Sequence, residues 1–396
     1  MKLLVIGSGM MGSAAADDMG HTPQVKSVPL ADNDTRRVRE VTARVNRITG
    51  EKKVHAATLD ANDEKAAAKL MRGHDAALSA VPYFLNLGLA KAAVEARCHF
   101  ADLGGNNTVV REELALARKA EKRGVALAPD CGLSPGMASI LGGELVRRLG
   151  GRADALKLYV GGLPEKPMPP FHYQLLFSVE GLINEYVEPV RILRKGKLVT
   201  IEPLTEPEDF HMAGFSPLVA FHTSGGTSTL PESFEGKVGE CFEKTLRYPG
   251  HYDLLCELKE LGMFSSEKMR VNGSEITPRQ VMSKIFEGKF ASKGPDVCIM
   301  RLEAHESVRA LGVRGLLGGR LKGRVATFTI VDHYDPKTDM SAMMRTTAFP
   351  ASIVVQMLAS GAIAKRGGIL QERDVPADTF LEEMGRRGIR IEYAVE

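Results

Sequence analysis

Gly7-Ser8-Gly9-Met10-Met11-Gly12 spells G-x-G-x-x-G between an apolar run, Leu3 to Ile6, and a stretch with helical spacing. Gly7 permits a tight turn, Gly9 lets backbone approach a pyrophosphate, and Gly12 lets the helix pack closely on the strand. The amides at the helix start, those of Met10 and Met11 among them, are then free to bind phosphate charge. Asp32 stands twenty residues beyond Gly12, at the end of the second apolar run and beside Asn33. That is the spacing of an acid that holds the ribose hydroxyls of NAD. A carboxylate there repels the extra phosphate of NADP at close range, so NAD is the expected cofactor. Arg36 and Arg37, which an NADP site would use, read as a solvated helix start.

Further candidates lie where later apolar runs end. Ala80-Val81-Pro82 closes the fourth run, and Pro82 cannot continue a parallel ladder. Ligands of parallel sheets bind beyond the carboxyl ends of strands, so this turn should lie along the cofactor. The same rule places Asp102, with Leu103-Gly104-Gly105, and Asp130-Cys131-Gly132 near the nicotinamide, capping or turn formation being the alternative for both aspartates. Asp60 is a candidate for the adenine edge or a solvated loop acid. Ten histidines without an H-x-x-x-H pair, and no Cys/His group at ligand spacing, predict no metal.

The elements that must position these residues follow a rhythm of short apolar runs and helical stretches. Strands are expected at Leu3 to Ile6, Val25 to Ala31, Lys53 to Thr58, Ala76 to Ala80, His99 to Leu103 and Val125 to Pro129, with five helices between them. That predicts an α/β, doubly wound Rossmann sheet. After Pro135-Gly136 the rhythm breaks. A second, α+β domain with a mostly antiparallel sheet is expected, with a strand at Leu156 to Gly161, a helix at Val179 to Val187, and a strand at Arg324 to Val331 after the turn at Gly318-Gly319. Ala342 to Gly361 reads as an apolar helix returning to the first domain. The expected division is 1–135, 136–340 and 341–396.

With 396 residues, 44% apolar and 26% charged, the chain has ordinary globular proportions, and a single core stops growing at roughly 250–300 residues. Its net charge of +3 is too weak to predict a nucleic-acid or anionic-membrane partner, which leaves a small molecule. Arg314, Arg320, Lys322 and Arg324 read as a solvated hairpin face. Five scattered cysteines and no signal-peptide pattern lead to the expectation of a cytoplasmic protein.

Several longer matches carry a resemblance. They are Asp130-Cys131-Gly132-Leu133-Ser134-Pro135-Gly136, Ser178-Val179-Glu180-Gly181-Leu182-Ile183-Asn184-Glu185-Tyr186, Ala220-Phe221-His222-Thr223-Ser224-Gly225-Gly226, Lys244-Thr245-Leu246-Arg247-Tyr248-Pro249-Gly250-His251 and Arg345-Thr346-Thr347-Ala348-Phe349-Pro350. With the Gly7 to Gly12 fingerprint, this ordered set resembles the saccharopine dehydrogenase-like oxidoreductases, and among them most closely the L-lysine 6-dehydrogenases. The resemblance implies NAD-dependent oxidation of the side-chain amine of lysine to the semialdehyde, by a homodimer or higher homo-oligomer. Saccharopine or carboxyspermidine-type substrates are the alternatives within the family, and a catalytically silent NAD-binding regulator lies outside enzymology altogether.

Hydride leaves readily only from a carbon bearing a neutral amine, so a base or a desolvated site is needed. Asp102, Glu180 and His251 are candidates by position, histidine because it titrates near neutrality. Cys131 is either close to the reacting carbon or a small apolar residue. Arg247, presented by the Tyr248-Pro249-Gly250 turn, is the expected forked cation for a substrate carboxylate, a surface arginine being the alternative. Thr223 and Ser224 could add donors to the same amino acid or only form a turn, and Tyr248 is carried as a further substrate contact.

Overall fold

The computed structural model describes residues 1–291, 294–306 and 323–396. The described residues form two compact units. Unit 1 begins with β1 (Leu3–Ile6), α1 (Met10–His21), β2 (Val28–Asp32), α2 (Thr35–Thr49), β3 (Val54–Thr58), α3 (Glu64–Met71), β4 (Ala76–Ser79), α4 (Asn86–Ala96), β5 (His99–Asp102), α5 (Asn107–Ala115), α6 (Ala117–Lys122) and β6 (Ala126–Ala128). Every residue of β1 is fully buried, as a parallel strand covered on both faces requires. Local chemistry marks the helix starts. The carboxylate of Asp34 accepts from the amides of Arg36 (3.1 Å) and Arg37 (2.9 Å) and so caps α2. Asp63 and Asn106 cap α3 and α5 in the same way.

The helix α7 (Ala138–Arg148) carries the chain into unit 2, whose residues begin at Leu145. There follow β7 (Ala153–Pro164), α8 (Val179–Val187), β8 (Val190–Arg194), β9 (Lys197–Ile201), β10 (Glu208–Phe210), β11 (Leu218–Phe221), α9 (Leu230–Phe234), β12 (Val238–Arg247), α10 (His251–Glu260), the hairpin β13 (Met269–Val271) and β14 (Ser274–Ile276), α11 (Pro278–Lys289), β15 (Asp296–His305) and β16 (Val325–His333). β7 is the axis of this sheet. It pairs antiparallel with β15 on one side and parallel with β12 on the other, Lys244 opposite Tyr159. The parallel pair departs from simple alternation of hairpins, because the long excursion through α8 to α9 brings β12 back in the same sense as β7.

The remaining chain adds α12 (Ala342–Ser360), β17 (Gly367–Gly368), α13 (Gln371–Asp374), α14 (Ala377–Arg386) and β18 (Ile391–Val395). Residues 344–391 belong to unit 1, where the two-residue β17 completes a parallel sheet of order β17-β6-β5-β4-β1-β2-β3. Residues 392–396 belong to unit 2, where β18 lies beside β16. The chain's end is therefore not a single tail on the nucleotide-binding fold. The turn at Gly318-Gly319 and the basic residues Arg314, Arg320 and Lys322 lie outside the described residues, whereas Arg324 is ion-paired with Glu306. Among the described residues no helix is long and apolar enough to cross a membrane.

Candidate functional site

In unit 1 the fingerprint glycines do what their spacing requires. Gly7 has φ +103°, and a Cβ there would press on the carbonyl of Ala80. A Cβ on Gly12 would fall on the carbonyl oxygen of Gly7, whereas one on Gly9 meets nothing within 4 Å. Gly7 and Gly12 thus serve the turn and the packing, while Gly9 leaves open space at the N-terminus of α1. Asp32 ends β2 half-buried. Its carboxylate accepts from the backbone N–H (2.6 Å) and hydroxyl (2.7 Å) of Ser8 and from the N–H of Asp34 (3.0 Å). Burial alone would raise this acid, but the hydrogen bonds from Asp34 and Ser8 hold it below the usual carboxylate range. A fixed negative charge therefore lies beside the glycine loop. Met10 and Met11 belong to that loop, Ala80 and Val81 lie against Gly7 in space, and these residues, with Pro82 and Asn33, are all partly or well exposed. These residues fit a dinucleotide: an open cradle at a helix start and an ionised acid at the next strand end. Asp60 is fully exposed and its carboxylate accepts from the backbone and side-chain nitrogens of Asn62, both at 2.9 Å, so it acts as a turn former.

At the ends of β5 and β6 the structure gathers buried acids. Asp102 accepts from the N–H of Gly104 (2.7 Å) and, weakly, of Asp130 (3.4 Å). Glu113, buried on the inner face of α5, brings a second carboxyl group up to Asp102, and neither of its oxygens has a hydrogen-bond partner among the described residues. Burial pushes Asp102 up to about 6 against those backbone hydrogen bonds. Burial, then the charges of Asp102 and Asp130, push Glu113 up to about 11. Two carboxyl groups that meet in a dry interior must share a proton, and here Glu113 carries it. Cys131 is a correction. Its thiol donates to the carbonyl of Ala128 (3.1 Å), Gln371 donates to its sulfur (2.9 Å), and burial drives its pKa well above the thiol range. It is a neutral core thiol without the thiolate that nucleophilic chemistry needs.

Unit 2 builds a second polar cluster on one face of β12. Strand alternation puts Glu243, Thr245 and Arg247 on that face, and Phe242 and Leu246 on the other. Arg247 is 3% exposed. One terminal nitrogen donates to Glu185 (3.3 Å), the other to the carbonyl of Leu246 (3.0 Å), and the guanidinium lies 4.9 Å from the ring centre of Tyr173. Burial holds Glu185 up at about 7 even though Arg247 opposes the shift. Burial and the charge of Glu185 lift Glu243 to about 8.

Other expected residues take different parts. The Thr223 hydroxyl is shared with Thr245 (2.7 Å) and Glu243 (3.4 Å), and the Ser224 hydroxyl donates to the carbonyl of Pro189 (3.1 Å). Both hydroxyls are thus engaged inside the unit. Tyr248 points to the opposite side, donating to the carbonyl of Pro164 (3.0 Å). His251 is buried between the hydroxyl of Tyr186 (3.0 Å) and the carbonyl of Phe171 (2.8 Å). Burial and the charge of Arg247 press it down to about 3, so it is neutral at physiological pH and does not titrate near neutrality. Glu180 is half-exposed and held by Arg279 (2.7 Å) and Ser283 (2.9 Å), a clamp between α8 and α11 away from Arg247. Five residues along a helix is a rotation of roughly 140°. The acid of α8 that reaches Arg247 is Glu185, which the sequence reading did not single out, and Glu113 was missed as well. The available signal for Glu113 was an acid spaced with Val110 on the inward face of α5.

A glycine-cradled strand end, an ionised acid after β2 and a second unit with a buried arginine define a two-part nucleotide-binding protein. Residues 3–127 match the family described as the saccharopine dehydrogenase NADP binding domain, and residues 132–389 match the saccharopine dehydrogenase C-terminal domain. The chain belongs to the saccharopine dehydrogenase family, and unit 1 is its NAD(P)-binding part. Among curated relatives, a mitochondrial alpha-aminoadipic semialdehyde synthase of Mus musculus is 21% identical over 92% of this chain and 45% of its own length. A saccharopine dehydrogenase [NADP(+), L-glutamate-forming] of Schizosaccharomyces pombe is 24% identical over 74% of this chain and 65% of its own. The chain thus spans about half to two thirds of the relatives it matches. Apo saccharopine dehydrogenase (L-Glu forming) from Saccharomyces cerevisiae has the same fold, with TM-score 0.76, 18% identity, and 100% and 99% of the two chains covered.

Proposed function

We propose that the chain is an NAD-linked dehydrogenase acting on the side-chain amine of L-lysine. The observation that carries this reading is the buried Arg247, a single forked cation suited to one amino-acid carboxylate. NAD is favoured over NADP by the ionised Asp32 beside the glycine loop. The bound nicotinamide would supply the hydride acceptor. Unit 1 then contributes the pyrophosphate cradle at Gly9 and the Asp102/Glu113 carboxyl pair, which can take a further proton while remaining shielded from water. Unit 2 contributes the cation for the carboxylate. Loss of hydride to the nicotinamide from the carbon next to a neutral amine would leave an iminium ion, which water converts to the semialdehyde with release of ammonium. The activities that name the relatives favour a second reading, saccharopine with NADP.

Absorbance of reduced cofactor, followed with lysine, saccharopine and ornithine under NAD and NADP, separates the readings. Lysine with NAD should be fastest, and faster turnover of saccharopine would install the second reading instead. Asp32→Ala should narrow the preference between cofactors chiefly by weakening NAD. Arg247→Lys keeps charge but loses the fork, so kcat/KM for lysine should fall about ten- to a hundredfold with NAD affinity unchanged.

A further inference from the structure

Around Arg247 the polar groups are unbalanced. Among the described residues its Nε has no hydrogen-bond partner, and neither has the hydroxyl of Tyr173, whose ring lies against the same guanidinium. Both are buried donors, and a buried donor left unmade is costly. The Tyr173 ring is held by His251 (centroids 5.4 Å apart) and Phe290 (5.4 Å), so its hydroxyl cannot simply swing to water. An acceptor-rich group in reach of both atoms would satisfy them together.

Beside these donors stands an acceptor with the opposite need. Glu185 meets Arg247 through one contact of 3.3 Å instead of a bidentate fork. Its side chain is 25% exposed against 4% for Arg247, so it is the more accessible partner. The groups facing it offer little further positive charge: Glu243 is an acid, His251 is neutral, and Tyr173 and Tyr186 are uncharged phenols. Its main chain is fixed, since its carbonyl accepts from the N–H of Ser224 (2.9 Å). A second cation placed at Glu185 would complete it.

We propose that Glu185, Arg247 and Tyr173 together form a receptor for the α-amino-acid head group, with the α-carboxylate on Arg247 Nε and Tyr173 Oη and the α-ammonium on Glu185. A zwitterion answers two donors and one acceptor at once and adds no net charge to a buried cluster. This rests on the reading that unit 2 binds an amino-acid substrate, and it names Glu185 as the residue that demands the α-amine.

The test compares L-lysine, 6-aminohexanoate, which lacks the α-amine, and 1,5-diaminopentane, which lacks the carboxylate, by calorimetry with NAD present and by steady-state kinetics. The unaltered protein should bind lysine at least about tenfold more tightly than either analogue. Glu185→Gln should raise KM for lysine about ten- to a hundredfold and erase the preference over 6-aminohexanoate, while affinity for 6-aminohexanoate and for NAD stays put. Tyr173→Phe should weaken lysine and 6-aminohexanoate alike and spare 1,5-diaminopentane. Should Glu185→Gln retain the full preference while lysine is still oxidised, the head-group assignment is wrong and the dehydrogenase reading survives. Discrimination for the α-amine without oxidation of lysine supports the receptor and removes the lysine reading. Absence of binding by any of the three, and by saccharopine, removes both.

Discussion

Three glycines in one hexapeptide carry separable duties, and single methyl groups distinguish them. Gly9 has φ −65° and free space where a side chain would project, so Gly9→Val should fold normally and fail to bind NADH. Gly12→Ala forces a methyl onto the carbonyl of Gly7, so it should cost about 1–3 kcal/mol or more of stability. Thermal unfolding and fluorescence titration with NADH, run on both variants, check the pair. Normal NADH affinity in Gly9→Val would remove that residue from the cofactor site. The fingerprint was legible because its constraints are local. Glu185 and Glu113 were not, because what makes them unusual is who stands opposite them, and that depends on contacts over long sequence separations. Arg247 was singled out through its turn, but its partners Glu185 and Tyr173 lie far upstream.

At the level of elements, the first six strands were legible as short, largely apolar runs, unbroken and fully covered in β1, whereas the edge strand β3 carries His55 and Thr58 exposed. β17 did not, since two glycines have no strand propensity and are in the sheet only through their pairing with β6. Another start signal was equally distant. Asp296 on β15 accepts from the N–H groups of Ala342 (2.7 Å) and Met343 (2.9 Å), capping the first turn of α12 from outside its own sequence neighbourhood. Asp296 is fully buried, so Asp296→Ala should cost about 1–2 kcal/mol by loss of the cap, and Asp296→Asn less, measured by denaturant unfolding. Equal stability of Asp296→Ala and the unaltered chain would show that α12 starts without this acid.

For the whole molecule, buried acids govern how stability follows pH. Asp17 and Asp102 lie near 6, Glu185 near 7, Glu243 near 8 and Glu113 near 11, each raised mainly by burial. A raised folded-state pKa means the native chain keeps a proton the unfolded chain has lost. Stability from these groups is thus complete below the unfolded value and declines as pH climbs through the folded one. His251 and His99, lowered by burial to about 3 and 4, work oppositely, adding stability as pH rises toward about 6.5. Above neutrality the buried carboxyls remain, joined at about pH 8.5 by the buried thiols Cys98 and Cys131, whose pKa burial raises, so stability should fall from pH 7 to 9 by about 1.4 kcal/mol per pH unit for each retained proton. Glu113→Gln should flatten that decline. An identical slope in the variant, read from melting temperatures, would place the retained proton elsewhere.

The interleaving of the two units along the chain has a consequence for synthesis. Domains usually fold in order as they leave the ribosome. Here the sheet of unit 1 lacks its edge strand until β17 arrives, and unit 2 lacks β18 until its last residues. Between β6 and β17 lie roughly 240 residues, or roughly 10–50 s of elongation at about 5–20 residues per second. During that interval one side of β6 stays unpaired, an open strand edge that a chain whose lobes follow one another would not expose for so long.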